Sequence, residues 1–265
     1  MNETILTDKI SKELNKIYRH LLKNNRKVVQ MQKDITELRN LAVRQFKELN
    51  FADLLHDTIL NSSWLKDKSF SLHGWAANYS FIYMLYRILD NAKPLHILEM
   101  GMGQTSRLTS QYIANCNPQA TLDIIENDAN WIDTYKPQLA QGENIKIHHC
   151  DLEFFTYAGT ECRKYKNLNE VIGNKKYDLI VIDGPWGAEQ NLPRSNILDI
   201  IEENRLSEDF IIIFDDVERK GERNTVANTL KLLETKHIEY FTFRRDGIKN
   251  QQIITSISKS FIQYL

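Results

Sequence analysis

Pro94-Leu95-His96-Ile97-Leu98-Glu99-Met100-Gly101-Met102-Gly103-Gln104-Thr105-Ser106 carries the clearest structural signal in this chain. Its apolar run predicts a buried strand, and a helical pattern begins directly after the glycines. Gly101 and Gly103 permit a tight turn from strand to helix and let a ligand approach the bare backbone. Thr105 or Ser106 can cap the helix that follows. The stretch therefore predicts a strand, a ligand-binding glycine loop and a helix.

Strand and helix patterns alternate after this stretch, which is typical of a doubly wound α/β domain. We expect a Rossmann-like domain over residues 94–265, preceded by a helical cap or linker over residues 51–93. The polar stretch from Phe154 to Lys176 predicts a helix and loops. The predicted strands are Leu95–Glu99, Thr121–Ile125, Ile145–His149, Tyr177–Ile182 and Phe210–Phe214, with a closing hairpin of Glu239–Arg245 and Gln251–Ser258. The predicted helices are Asp53–Leu60, Ala76–Leu89, Thr105–Ala114, Trp131–Ala140, Ser195–Asn204 and Thr225–Thr235.

The N-terminal segment, residues 1–50, follows a heptad repeat from Ile10 to Leu49. Gly74 is the first glycine or proline of the chain, so nothing before it breaks a continuous helix. Such a long, narrow stripe predicts self-association through residues 10–49 as a coiled coil, most simply a dimer. The alternative is a long helix folded back on its own domain. The core positions are Leu14, Leu21, Val28, Ile35, Ala42 and Leu49 in one set, and Ile10, Ile17, Asn24, Met31, Leu38 and Gln45 in the other.

Composition sets mild limits on function. The chain has 34 basic and 35 acidic residues among 265, so no overall field favours nucleic acid. Its three cysteines lack the spacing of a metal site and are expected to be reduced thiols. No signal-peptide pattern or apolar run of transmembrane length occurs. These features predict a cytoplasmic protein without a transmembrane segment.

Acidic residues follow every predicted parallel strand. In an open α/β sheet, ligands bind beyond the carboxyl ends of the strands, so these acids are expected to surround one ligand. Glu126 lies 23 residues after Gly103, and its carboxylate can accept hydrogen bonds from both ribose hydroxyls of an adenosine. NAD carries the same ribose, so this signal indicates a nucleoside. The acids are Glu99, Glu126, Asp151, Asp183 and the pair Asp215-Asp216.

The acid two residues before Gly101 makes the loop resemble the first motif of class I S-adenosylmethionine-dependent methyltransferases. The resemblance implies S-adenosylmethionine as cofactor, an antiparallel strand in the closing hairpin, and a role for Glu99 in holding the methionine end of the cofactor. It also places residues 104–106 (Gln104, Thr105 and Ser106) in the cofactor loop and gives Asp151 a contact with the adenine. Dinucleotide dehydrogenases have a third glycine where this chain has Ser106. A nicotinamide-dependent oxidoreductase is an alternative of another class, which the missing third glycine disfavours, and a non-catalytic coiled-coil adaptor is a further alternative.

The second strong motif is Asp183-Gly184-Pro185-Trp186-Gly187. By the same resemblance Asp183 lies nearest the methyl acceptor, and Trp186 can stand beside the sulfonium, since an aromatic ring suits a positive charge. The motif also resembles the Asp-Pro-Pro-Trp motif of amino-methylating enzymes. An amino-group methyltransferase is therefore the alternative to methylation of oxygen.

Asp215 and Asp216 form the third motif. Together with Asp183 they resemble the carboxylates that hold a divalent ion in metal-dependent O-methyltransferases, and such hard oxygen ligands suit Mg²⁺. The alternative is a metal-free site in which one aspartate acts as general base toward a hydroxyl. We therefore predict Asp183, Asp215 and Asp216 as catalytic residues and as possible metal ligands.

The three motifs together resemble bacterial O-methyltransferases associated with polysaccharide and glycan synthesis. That resemblance implies a sugar, glycan or small-molecule acceptor. Basic residues after Asp216 can hold an anionic group of the acceptor or form a solvated loop; they are Arg219, Lys220 and Arg223. Four further residues can line the cofactor site or belong to the core, and they are His73, Trp75, Trp131 and Ile132.

Overall fold

Helices and strands alternate in a computed structural model that describes residues 3–72, 74 and 76–265, with side chains from residue 7 onward. His73 and Trp75, the candidates for the cofactor mouth, lie outside the described residues. The helices are α1 Glu3–Leu60, α2 Tyr79–Ala92, α3 Gln104–Asn115, α4 Ala129–Tyr135, α5 Leu168–Ile172, α6 Asn196–Glu202 and α7 Lys220–Thr235, with 3-10 turns at Lys136–Gln138 and Ile257–Tyr264. The strands are β1 His96–Met100, β2 Thr121–Glu126, β3 Ile145–His149, β4 Leu152–Tyr157, β5 Thr160–Tyr165, β6 Tyr177–Ile182, β7 Leu206–Phe214, β8 Phe241–Asp246 and β9 Asn250–Thr255.

Seven strands form one sheet in the order β3-β2-β1-β6-β7-β9-β8. β9 is antiparallel to both of its neighbours, and the other neighbouring pairs are parallel. The strand order reverses between β1 and β6, which makes this the switch point of the sheet. The predicted Rossmann-like sheet with an antiparallel strand near the C-terminus is confirmed.

Apolar side chains fill both faces of the sheet because successive residues of a strand point to opposite sides. Leu179 and Val181 of β6 belong to one buried cluster, which α2 and α3 cover. Ile180 and Ile182 of the same strand belong to the other, which includes Ile197 of α6 together with residues of α7. Strands covered on both faces read as nearly continuous apolar runs, which is why the sequence predicts them well.

The stretch Phe154 to Lys176, predicted as a helix and loops, is instead mainly a β-hairpin. β4 and β5 pair in antiparallel register from Leu152 opposite Tyr165 to Tyr157 opposite Thr160. Ala158 and Gly159 form the two-residue turn with φ of 48° and 76°, as hairpin turns of this length require. Only the short helix α5 lies in the predicted range. The helical prediction fails because the strands are largely solvated, so no apolar run marks them.

α1 is one helix of 58 residues, which spans about 87 Å. The separate helix predicted at Asp53–Leu60 is wrong, because α1 continues through it without a break. The chain divides into two compact units, Met1–Phe46 and Lys47–Leu265. Within the second unit the Glu48 carboxylate accepts hydrogen bonds from Asn78 Nδ2 at 2.7 Å and from the Ile248 backbone N–H at 2.9 Å. This end of α1 is therefore part of the packed domain.

The heptad positions of the first unit are exposed. The exposed fractions of the large apolar residues at these positions run from 50% at Val28 to 66% at Leu38. Helical structure over the repeat matches the prediction, whereas self-association stays a prediction. Across the described part of the chain, every helix is too short or too polar to cross a bilayer.

Candidate active site

The glycine loop lies where β1 and β6 end side by side. Gly101 has a φ of +97°, and a Cβ on it would lie 2.8 Å from the Gly184 backbone nitrogen. The backbone N–H groups of Asp183 and Gly184 both donate to the Met100 carbonyl, at 2.9 and 2.6 Å. A Cβ on Gly103, by contrast, would have no described atom within 4 Å. The protein backbone therefore requires glycine at residue 101 but leaves residue 103 open to a ligand.

Glu99 lies behind this loop and is fully buried. Ser106 Oγ donates to one carboxylate oxygen and Thr109 Oγ1 to the other, both at 2.6 Å. Burial raises the pKa of Glu99 to about 7. Ser106 Oγ also accepts from the Gly103 N–H at 3.2 Å. Glu99 thus positions the loop from behind through the first turn of α3, and its contact with a cofactor stays a prediction.

Glu126 stands at the end of β2 on the cavity side of the loop. Its carboxylate accepts hydrogen bonds from the backbone N–H groups of Met102, Asn127 and Asp128, at 3.1, 2.7 and 2.9 Å. A carboxylate offers about four acceptor positions, so it can still accept from a ligand. Trp131 Nε1 donates to the Met102 carbonyl at 2.8 Å and holds the indole at the same wall.

A cavity of about 620 Å³ lies at the carboxyl ends of β1, β2 and β6. A second cavity of about 330 Å³ shares Met102, Trp131 and Asp183 with it and is lined by Gly103 and Gln104. The larger cavity is lined by Gly74, Gly101, Met102, Glu126, Asn127, Asp128, Trp131, Tyr165, Asp183, Gly184, Pro185, Trp186, Ala188, Arg194, Asp216, Arg219 and Lys249.

Several predicted residues are not among those cavity linings. Asp151 is exposed, and Ile132 is half-buried beside the core. Thr105 is buried in the first turn of α3.

Trp186 lines the larger cavity, and the guanidinium carbon of Arg163 lies 5.2 Å from its ring centroid. Arg163 belongs to β5, so the unpredicted hairpin reaches the rim of the site.

The three aspartates predicted as catalytic do come together. One carboxylate oxygen each of Asp183, Asp215 and Asp216 lies within 4.8 Å of the others. Asp183 is 22% exposed toward the cavity, whereas the other two are buried. Burial and the Asp215 charge raise the pKa of Asp183. Burial and the Asp216 charge raise the pKa of Asp215. Against its own burial, Asp216 has a lowered pKa because Arg194 and Lys249 lie beside it.

Arg194 is the main residue that the sequence prediction missed. It is 3% exposed, and its Nη2 lies 2.7 Å from Asp216 Oδ2 and 3.3 Å from Asp183 Oδ1. Its Nη1 donates to the Asp215 carbonyl at 3.0 Å. The loop sequence Pro193-Arg194-Ser195 has no spacing that marks this role. The one available signal is the excess of acids at the strand ends, which requires a cation nearby when the acids are buried.

Further groups complete this cluster. Lys249 Nζ lies 3.7 Å from Asp215 Oδ2 and 3.6 Å from Asp216 Oδ1. Gln251 Nε2 donates to Asp215 Oδ1 at 2.7 Å. Arg219, one of the three basic residues considered for the acceptor or a solvated loop, pairs with Asp216 at 3.0 Å. Lys249 and Gln251 come from the closing hairpin, so the cluster joins three parts of the chain that are distant in sequence.

The chain is similar to two solved O-methyltransferase structures. The O-methyltransferase TomG of Streptomyces achromogenes, involved in tomaymycin synthesis and solved with S-adenosylmethionine, has a TM-score of 0.53 at 13% identity, covering 81% of this chain and 98% of that one. The O-methyltransferase of Bacillus cereus, solved with S-adenosylhomocysteine, has a TM-score of 0.46 at 11% identity, covering 80% and 91%. No protein-family model and no curated protein matches the sequence.

The sheet order and the similarity to TomG together define a Rossmann-like methyltransferase fold. At 13% identity the similarity concerns the fold alone. The chemistry depends on the residues around the cavity.

Proposed function

We propose that this protein is an S-adenosylmethionine-dependent methyltransferase that acts on a hydroxyl group. One observation carries the proposal: the glycine loop, Glu126 and Asp183 line a single cavity at the switch point of the sheet. This arrangement supports a nucleoside-binding acid and a base on one ligand path. TomG, which shares the fold, binds S-adenosylmethionine, and this supports the same cofactor here.

The proposed cofactor position follows from the cavity walls. Glu126 accepts a hydrogen bond from a ribose hydroxyl, and the backbone of residues 101–103 borders the cofactor. Trp186 and the carboxylate of Asp183 face the sulfonium, whose positive charge both groups favour. Ser106, which occupies the place of a third glycine, bonds to Glu99 at 2.6 Å. That bond gives Ser106 a structural role in the loop and argues against the dinucleotide alternative.

We propose that the reaction proceeds without a divalent ion. The carboxylate cluster has the oxygen ligands that Mg²⁺ prefers, but Arg194 lies between Asp183 and Asp216, within 3.3 Å of both. Lys249 faces the two remaining oxygens of Asp215 and Asp216. A metal ion would have to displace these cations, so the residues do not fit one. Asp183, the only carboxylate of the three that is partly exposed to the cavity, is left as the general base.

The acceptor is proposed to be a small molecule or a glycan. Arg219 is 38% exposed at the cavity and Arg163 stacks on Trp186, so an acceptor with an anionic group would be favoured there. A role in polysaccharide synthesis and a cytoplasmic location are sequence-based predictions. Methylation of an amino group is also a sequence-based prediction. It is disfavoured because Gly184 stands where the Asp-Pro-Pro-Trp motif has its first proline.

Glu126→Ala should weaken binding of S-adenosylhomocysteine roughly ten- to a hundredfold, because hydrogen bonds to a charged group are worth about 1.5–3 kcal/mol. Calorimetry with the wild type and the variant measures this difference. The same change leaves three loop N–H groups without their acceptor, so Glu126→Gln, which keeps one acceptor oxygen, separates binding from folding. Exposed Glu143→Ala is the control. Wild-type affinity in folded Glu126→Ala would refute the assignment.

We propose that residues 10–49 join two copies of the chain as a parallel coiled coil. The exposed seam supplies the apolar contact, and the flanking positions supply complementary pairs. In a parallel in-register pair, Asp34 would face the partner's Arg39, and Leu41 the partner's Phe46. The basic residues between Leu14 and Lys33 lie mainly away from the seam. They therefore do not oppose pairing.

Ile35→Glu in the seam should convert a dimer, about twice 31.1 kDa, into a monomer, whereas Asn40→Glu on the opposite face should not. A charge in the seam faces the same charge on the partner and cannot be solvated there. Light scattering measures the mass. Asp34→Arg or Arg39→Asp alone should weaken the dimer, and the double exchange should restore it only in the parallel arrangement. A wild-type monomer at micromolar concentration would rule out this assembly.

A further inference from the structure

Tyr165 has a buried hydroxyl without a protein partner. The residue is 1% exposed, and its Oη has no hydrogen-bond partner anywhere in the described structure. A buried hydroxyl that makes no hydrogen bond costs free energy of folding. Such a group therefore calls for a reason other than stability.

The Tyr165 ring borders the cavity, and its hydroxyl is covered by the protein next to Gly184. A Cβ added to Gly184 would lie 2.6 Å from the Tyr165 Oη. Gly184 is the residue after Asp183 and packs against Gly101 of the glycine loop. The hydroxyl therefore lies where the loops after β1 and β6 meet, on the ligand side of the switch point.

Tyr165 is also held in place by its backbone. Asn196 Oδ1 accepts from the Tyr165 N–H at 2.8 Å, and Asn196 Nδ2 donates to the Tyr165 carbonyl at 2.9 Å. Asn196 is itself 1% exposed, so this pair of bonds is shielded from water. A buried amide that fixes both backbone groups leaves the ring little freedom. The side chain is thus oriented before any ligand binds, which lowers the cost of binding.

The charge around the hydroxyl favours its neutral form. Burial, followed by the negative charge of Glu126, raises the pKa of Tyr165 well above its ordinary value. Asp183 acts in the same direction. The group therefore keeps its proton at neutral pH and can donate one hydrogen bond. An oxygen or nitrogen of a ligand can supply the acceptor that it lacks.

We propose that the Tyr165 hydroxyl donates a hydrogen bond to a ribose oxygen of the bound nucleoside. This rests on the proposed function, in which a ribose hydroxyl donates to Glu126. A ribose oxygen between the two residues can donate to the carboxylate and accept from the phenol. The β4–β5 hairpin, through its last residue, is then part of the cofactor site.

Tyr165→Phe should weaken binding of S-adenosylhomocysteine about three- to tenfold, the range for one neutral hydrogen bond. Its resistance to urea should be unchanged or higher, because the lost hydroxyl has no protein partner. Calorimetry and urea unfolding of the full-length protein measure the two quantities. Tyr177→Phe is the matched control, since the buried Tyr177 hydroxyl donates to Asp123 at 3.0 Å at the other end of β6. That variant should lose stability and keep its affinity.

The outcomes are distinct. Wild-type protein that fails to bind S-adenosylhomocysteine overturns the proposed function and this inference together. Binding by the wild type with equal affinity in Tyr165→Phe overturns the inference alone. A loss of stability in Tyr165→Phe as large as that in Tyr177→Phe also overturns it, because the hydroxyl would then have a protein partner. Lower affinity with unchanged stability supports it.

Discussion

Asp183→Asn should lower turnover about a hundredfold or more, which is the usual contribution of a general base. Its affinity for S-adenosylhomocysteine should stay within about twofold of the wild type. The amide keeps an oxygen that can accept from Arg194, now 3.3 Å from Asp183 Oδ1, so the loop should hold its conformation. The amide cannot take a proton from the acceptor hydroxyl, so the loss is chemical.

The measurement is release of S-adenosylhomocysteine from S-adenosylmethionine over a panel of monosaccharides, phenols and catechols, with the acceptor that the wild type methylates fastest. Because burial and Asp215 raise the pKa of Asp183, kcat/KM of the wild type should rise with pH well above the ordinary range of an aspartate. The value of kcat/KM rises because only the deprotonated form of Asp183 can accept a proton. Turnover by Asp183→Asn near the wild-type rate would contradict this role.

The same assay tests the absence of a divalent ion. Activity that survives EDTA agrees with Arg194 and Lys249 as the cations of the cluster. Activity that EDTA abolishes and Mg²⁺ restores would show that a metal ion displaces them, and Asp183 would then be a ligand and not the base.

Gly101→Ala should lower the free energy of unfolding by at least about 2 kcal/mol, and it should abolish binding of S-adenosylhomocysteine in any protein that folds. The backbone at φ +97° disfavours any side chain, and the new Cβ would lie 2.8 Å from the Gly184 nitrogen. The overlap is with backbone, which cannot rotate aside as a side chain can. Separating β1 from β6 at this point would open the cavity floor.

Gly103→Ala is the matched control for that variant. Its φ is −177°, an extended conformation open to any residue, and the new Cβ would meet no described atom within 4 Å. Stability should therefore change by less than about 1 kcal/mol, since only the entropy of the unfolded chain differs. Urea unfolding compares the two variants. Equal stability of Gly101→Ala and Gly103→Ala would contradict the close approach of the two loops.

Most of the sheet could be predicted from local pattern. The predicted bounds of Ile145–His149 match β3, an edge strand whose residues are half-buried or exposed. The predicted bounds of Tyr177–Ile182 match β6, because a strand buried on both faces is an apolar run with sharp ends. The β4–β5 hairpin was missed for the converse reason. Only Cys162 and Tyr165 of its twelve residues are buried, so charged and aromatic residues alternate without a clear period.

The acids of the site were predictable because each lies at or just after the end of a strand, and parallel strands bring their carboxyl ends to one edge. Their partners were not. Arg194, Lys249 and Tyr165 reach the cavity from a loop and two hairpins, and nothing in their local sequence distinguishes them from the other basic and aromatic residues. Glu99 lies on a predicted strand, but its burial against Ser106 and Thr109 depends on how α3 packs. Local patterns thus establish the strands, the glycine loop and the row of acids, whereas long-range packing establishes which charges are paired and which hydroxyl is left for a ligand.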